Sequence, residues 1–225
     1  MTDMDKRTTI ISVLKEQGIL PLYFHPDPTV SIDLMKALYA AGIRAIEYTN
    51  RGKEALANFS LLRSLCDKEL PGMQLGVGTI KEATAARNFV NAGADFMVSP
   101  GLAEDVFDIS YSEKILWIPG CMTVTEIMKA EQFGLELIKL FPGNLLGPDF
   151  MRAIKEVFPG LSFIPTGGVA LEKENLTNWF DAGVCAVGVG GQLITKDILA
   201  KKEFGTITES AKALLSLISS IRSKH

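Results

Sequence analysis

The sequence predicts an α/β protein, a single-domain (β/α)8 TIM barrel covering 1–225. Three observations predict it. Eight short apolar runs alternate with helical stretches at steps of roughly 20–30 residues, the length of one βα unit. Four segments, "AAGIRAIE", "NAGADFMV", "QFGLELIK" and "DAGVCAVG", repeat one pattern of helix end, glycine and strand. No G-x-G-x-x-G follows the first run, so the open doubly wound sheet, the competing arrangement of alternating β and α, lacks its fingerprint.

The expected strands, in order, are "ILPLYF" (19–24), "RAIEYT" (44–49), "QLGVGT" (74–79), "DFMVSP" (95–100), "ILWIPG" (115–120), "LIKLFP" (137–142), "SFIPTGG" (162–168) and "AVGVGG" (186–191). Continuous alternation of β and α implies a parallel sheet covered by helices, and eight strands imply closure. Gly42, Gly93, Gly134 and Gly183 fit the left-handed position that ends a helix. "TIKE" (79–82), "TVTE" (123–126) and "TITE" (206–209) have capping-box spacing. An N-terminal helix is expected over about 5–17 and an amphipathic closing helix over about 207–222.

Composition narrows function. The chain has 225 residues, 47% hydrophobic and 22% charged, with a formal net charge of -3. That is one core's worth of chain, and no basic patch points to nucleic acid. The first residues carry both signs of charge and no apolar run with a small-residue cleavage site, so a signal peptide is not expected. No apolar run reaches the roughly 18 residues that span a bilayer. The expectation is a cytoplasmic protein without membrane contact. Cys66, Cys121 and Cys185 fit no disulfide framework or zinc spacing and read as buried thiols. With only His25 and His225, a histidine triad or a multi-histidine metal site has almost no material.

One residue breaks the apolar pattern. "LELIKLFPGN" (135–144) reads as a strand buried on both faces, yet it contains Lys139. Side chains alternate along a strand, so if Ile138 and Leu140 face the helices, Leu137, Lys139 and Phe141 face the axis. By the same alternation in 44–49, Ile46 and Tyr48 point outward, while Ala45, Glu47 and Thr49 point inward. Lys139 and Glu47 thus face the axis from different strands, at the end where this fold places active sites. An amine out of water favours its neutral, nucleophilic form, and a carboxylate beside it supplies proton transfer. The alternative is a buried ion pair without function, a weak stabiliser because desolvation offsets attraction.

Arg51 lies just beyond the second strand, and its planar fork suits a carboxylate or phosphate; the alternative is a solvated surface arginine. Thr79 ends the third strand and is also an N-cap candidate, with Glu82 closing the box. Gly167-Gly168 and Gly190-Gly191 follow the last two strands, the recurrent phosphate site of this fold, although tight turns use such pairs too.

Together "IEYTNRG", "GVGTI", "VSPG", "IPG", "IKLFPG", "PTGGV" and "VGVGG", in this order, resemble the 2-keto-3-deoxy-6-phosphogluconate / 4-hydroxy-2-oxoglutarate (KDPG/KHG) aldolase family. The likeness runs from about Leu20 to about Ile194. It implies a (β/α)8 barrel, commonly a homotrimer, that works as a Schiff-base aldolase without cofactor or metal. Lys139 is then the imine-forming lysine and Glu47 the acid/base. Arg51 and Thr79 hold the carboxylate of the pyruvoyl half. Thr166, Gly167, Gly168, Gly190 and Gly191 line the distal, phosphate-binding end, and Pro119 and Phe141 are candidates for the site wall. The implied partners are a 2-keto-3-deoxy (phospho)sugar acid and pyruvate. Three departures, all at the distal end, are Gly143-Asn144 where relatives have Ala-Glu, Asn50 for leucine and Gln192 for serine. Rival readings are a 2-keto-3-deoxy-6-phosphogalactonate aldolase, a metal-dependent phosphosugar epimerase and a non-catalytic keto-acid- or phosphate-binding barrel.

Overall fold

A computed structural model describes residues 3–223, with side chains from Lys6 onward; His225 lies outside the described residues. Helix α1 (Asp3–Gln17) precedes β1 (Ile19–Tyr23), α2 (Pro28–Ala40), β2 (Ala45–Thr49), α3 (Ala55–Glu69) and β3 (Gln74–Gly78). Next come α4 (Ala83–Asn91), β4 (Phe96–Val98), α5 (Glu104–Ser112), β5 (Leu116–Ile118) and β6 (Gly120–Cys121). The chain continues through α6 (Val124–Gln132), β7 (Leu137–Leu140), α7 (Gly143–Lys155), β8 (Ser162–Pro165), α8 (Lys173–Asp181) and β9 (Val187–Val189). It ends in α9 (Lys196–Lys201) and α10 (Phe204–Arg222). No helix among the described residues is long and apolar enough to cross a membrane.

All strand pairs are parallel. Six strands form one curled sheet in the order β5-β4-β3-β2-β1-β9, and β6-β7-β8 form a second. Among the described residues nine strands appear where eight were expected, because Pro119 has no N–H and interrupts the fifth. The second sheet touches the first on both sides. The Pro119 carbonyl accepts the Lys139 N–H at 2.9 Å, and Thr166 bridges Gly188.

Alternation along the strands divides the core in two, as expected. Ile46, Tyr48, Ile138 and Leu140 pack against the helices. Leu20, Ala45, Phe96, Leu116, Leu137 and Ala186 meet one another inside the curl. Ile10, Ile11 and Leu14 of α1 close this inner cluster from the N-terminal ends of the strands. Gly42, Gly93, Gly134 and Gly183 all take positive φ at helix ends, as their positions predict.

Of the three capping boxes, one forms. The Thr123 hydroxyl accepts the Glu126 N–H, and the Glu126 carboxylate accepts the Thr123 N–H. Thr79 is instead left-handed, with φ 61°. Helix α4 starts at Ala83, and its first N–H goes to Asp105 from another element, at 2.8 Å. Thr206 lies within α10, which begins earlier than expected, at Phe204.

Candidate active site

The site lies at the C-terminal ends of the strands, around a cavity of about 450 Å³. Glu47 projects from the middle of β2 and Lys139 from β7. Both are enclosed, with side-chain exposures of 1% and 8%, and Lys139 Nζ stands 3.8 Å from Glu47 Oε1. That is close enough for ion pairing but too long for a hydrogen bond. Neither Glu47 oxygen has a hydrogen-bond partner among the described residues. Lys139 Nζ also sits 5.4 Å from the centre of the Phe141 ring, which forms part of the wall.

Glycine makes room for this arrangement. A Cβ on Gly78 would stand 1.8 Å from Glu47 Oε1, so any other residue there would displace the carboxylate. On β9, a Cβ on Gly188 would meet Thr166 Oγ1 at 2.2 Å. These two positions explain glycines that strand propensity disfavours.

The remaining candidates divide. Lys139, Phe141, Arg51, Thr166, Gly167, Gly168, Gly190 and Gly191 all line the cavity. Arg51 is exposed at its mouth, with no ion pair among the described residues. Gly167 and Gly168 are both left-handed, and the Gly167 carbonyl accepts the Asn144 N–H at 2.9 Å. Glu47 lies behind Lys139 rather than on the cavity wall. Thr79 and Pro119 are not on the wall either. Thr79 is half-buried just beyond β3, and Pro119 is buried at the β5–β6 junction.

Sequence reasoning missed part of the wall. Phe24 and Lys196 line it from a loop and a helix start, where no periodicity marks a side chain's direction; Gln192, placed at the distal end by the resemblance, lines it too. Phe24 packs so closely on Gly52 that a Cβ there would approach its ring to 2.5 Å. The loop behind Phe24 is pinned because the His25 carbonyl accepts bonds from Ser31, Tyr48 and Asn58 side chains, at 3.0, 3.0 and 3.1 Å.

Arg51, Lys139 and Lys196 give the wall three cationic side chains and no acidic one, a lining suited to an anion with more than one charged end. No cluster of three or more His, Cys, Asp or Glu among the described residues could hold a metal ion. Cys66 and Cys121 are buried and Cys185 half-buried. Burial pushes their thiols up to about 11, 12 and 11, which keeps them protonated at neutral pH.

Comparison with known proteins gives the family. The family described as KDPG and KHG aldolase matches residues 10–210. The chain belongs to the KDPG and KHG aldolase family. It is similar to the 2-dehydro-3-deoxy-phosphogluconate aldolase of Pseudoalteromonas atlantica, with 32% identity over 89% of this chain and 91% of the relative. It is also similar to the KHG/KDPG aldolase of Escherichia coli, with 30% identity over 92% and 94% of the two chains. Among solved structures it resembles the KDPG aldolase of Legionella pneumophila, in which pyruvate was captured at low pH as a covalent carbinolamine intermediate. The TM-score is 0.83 at 27% identity, covering 91% of this chain and 97% of that one.

Proposed function

We propose that this chain is a class I aldolase. It cleaves 2-keto-3-deoxy-6-phosphogluconate to pyruvate and glyceraldehyde 3-phosphate, or 4-hydroxy-2-oxoglutarate to pyruvate and glyoxylate, through a Schiff base on Lys139. The observation that carries this reading is the enclosed Lys139–Glu47 pair at 3.8 Å, opening onto a wall of cations. The two sheets are read as one closed (β/α)8 barrel forming a single domain, supported by the contacts at Pro119 and Thr166–Gly188. A homotrimer working in the cytoplasm belongs to the same proposal and rests on the family resemblance.

Lys139 attacks the C2 ketone. The carbinolamine loses water to give an iminium, which acts as an electron sink. Glu47 removes the C4 hydroxyl proton, the C3–C4 bond breaks, and the aldehyde departs. A proton returned to C3 of the enamine regenerates the iminium, and hydrolysis releases pyruvate. Arg51 and Thr79 hold the carboxylate of the pyruvoyl half. Thr166 and the Gly167-Gly168 and Gly190-Gly191 loops receive the distal end. Division into covalent steps lowers the barrier, and the positioned carboxylate contributes roughly 10²–10⁴-fold.

Pyruvate with borohydride should label Lys139 and abolish activity. An unlabelled Lys139, with turnover intact in Lys139→Ala, would refute the reading. Kinetics on both C4 epimers should favour the gluconate over the galactonate substrate; the reverse preference would reassign the substrate but keep the chemistry.

A further inference from the structure

Leu22 is buried, yet it stands apart from the rest of the core. Among the described residues it is the one buried apolar side chain that joins neither the helix-facing cluster nor the inner one. Alternation explains where it goes instead. Leu20 belongs to the inner cluster, so Leu22, two residues on, leaves the same face of β1 nearer the C-terminal end. There it lines the cavity. Its apolar surface is turned to a ligand rather than to a core neighbour.

Register fixes its place along that wall. Leu22 pairs with Glu47 on β2. On the other side Pro21 pairs with Val189 of β9, so the next step along both chains sets Leu22 beside Gly190. The approach is close: a Cβ on Gly190 would stand 3.4 Å from Leu22 Cδ1 and 3.4 Å from the Leu22 carbonyl oxygen. Glu47 leans the other way, over Gly78 of β3. The wall between the acid/base and the Gly190-Gly191 loop is therefore leucine. In the reading proposed above, Lys139 holds C2, Glu47 takes the C4 hydroxyl proton, and that loop receives the distal group. C5 of the substrate then lies against Leu22.

We propose that Leu22 is a specificity-determining residue that reads C5. The inference rests on the imine reading above. A carbinol carbon at C5 turns its C–H face to the leucine, and both surfaces leave water. A carboxylate at C5, as in 4-hydroxy-2-oxoglutarate, loses water there without gaining a polar partner. Leu22 thus favours keto acids whose carbon chain continues beyond C5, the class of 2-keto-3-deoxy-6-phosphogluconate, over the five-carbon dicarboxylate.

The test is retro-aldol kinetics on both substrates, with borohydride trapping of pyruvate as a control that ends at C3. The comparison is among wild type, Leu22→Ala and, should the alanine variant fold poorly, Leu22→Val. Wild type should prefer the six-carbon acid. Leu22→Ala should lower kcat/KM for that acid by about tenfold, and Leu22→Val by about threefold. Both should leave kcat/KM for 4-hydroxy-2-oxoglutarate and the extent of pyruvate labelling within about twofold. The inference is overturned if the variants lower kcat/KM for the two substrates alike, or leave the six-carbon acid unaffected. Lost pyruvate labelling in the variants also overturns it, because pyruvate has no C5, and so does a wild type that prefers the dicarboxylate. A wild type that pyruvate and borohydride do not label removes the imine reading itself.

Discussion

Gln17 and Glu47 serve the same pair of strands, one at their start and one from within, and they are treated in opposite ways. The Gln17 amide donates to the carbonyls of Ile19 and Ala45, at 2.7 and 3.0 Å, and accepts the N–H groups of Arg44 and Ala45, at 2.6 and 3.1 Å. It stitches the starts of β1 and β2 together. Glu47 lies deeper and makes no hydrogen bond among the described residues. The N-terminal end is also sealed by Ile10, Ile11 and Leu14, whereas the C-terminal end opens into the cavity. One end of the interior satisfies its own polar groups. The other leaves them for a ligand to satisfy, at a cost in stability that the sealed end helps to offset.

The sharpest way to break this comparison is to remove the charges. Lys139→Met should lower turnover by roughly four orders of magnitude or more. It should also destabilise the fold by roughly 3–5 kcal/mol, because it strands the Glu47 carboxylate. The double variant Glu47→Met/Lys139→Met should be just as inactive, yet about 1–4 kcal/mol more stable than wild type. Denaturant unfolding measures all three. A double variant less stable than wild type would mean that the pair supports the fold.

The converse experiment acts on the sealed end. Leu14 is fully buried in the inner cluster. Leu14→Ala should cost about 2–5 kcal/mol, the range for a leucine truncated in a packed core. Turnover per folded molecule should stay at the wild-type level at a temperature where the variant remains folded. A fall in kcat would show that the two ends are mechanically coupled.

These two regions were not equally legible in the sequence. The direction of Glu47 and Lys139 followed from apolar alternation, since Ile46, Tyr48, Ile138 and Leu140 could face only the helices. The helix-ending glycines were legible for a similar local reason, because only a residue without Cβ accepts positive φ freely. Features set by distant chain were not legible. The first N–H of α4 goes to Asp105, so Thr79 was free to adopt another conformation. The split of the fifth strand depends on where Pro119 meets β7, which no local pattern records. Lys196 reaches the cavity because the segment after β9 turns back over the site.

Lys196 provides a smaller test, at the rim of the open end. Its side chain is exposed at the wall of the cavity that the glycine loops also line. If the rim serves ligand binding, Lys196→Gln should raise KM for a phosphorylated keto acid by about five- to tenfold, the effect of one partly solvated charge contact. It should leave kcat and the KM for an uncharged-tail analogue nearly unchanged. Equal effects on both substrates would indicate that the lysine shapes the loop and does not read charge.

The smallest effect belongs to a second carboxylate near the open end. Glu126 follows β6, the strand that pairs with Lys139, yet it resembles Gln17 rather than Glu47. One of its oxygens accepts the Met122 N–H, the Thr123 N–H and the Thr123 hydroxyl, at 2.9, 2.8 and 2.8 Å. Partial burial alone would raise its pKa, but these bonds outweigh burial and hold it below the usual glutamate value. A depressed carboxylate stabilises the fold above its unfolded pKa, and that stabilisation is lost as pH falls through the folded value. Thr123→Ala should therefore cost about 1 kcal/mol near neutrality, the worth of an N-cap. The deficit relative to wild type should shrink as the pH drops below about 4.5, where both states become protonated. Urea unfolding at several pH values measures it, and a deficit independent of pH would assign the loss to the cap hydroxyl alone. Turnover should be unaffected. A satisfied carboxylate supports a helix, while an unsatisfied one a few ångströms from Lys139 is available to move protons.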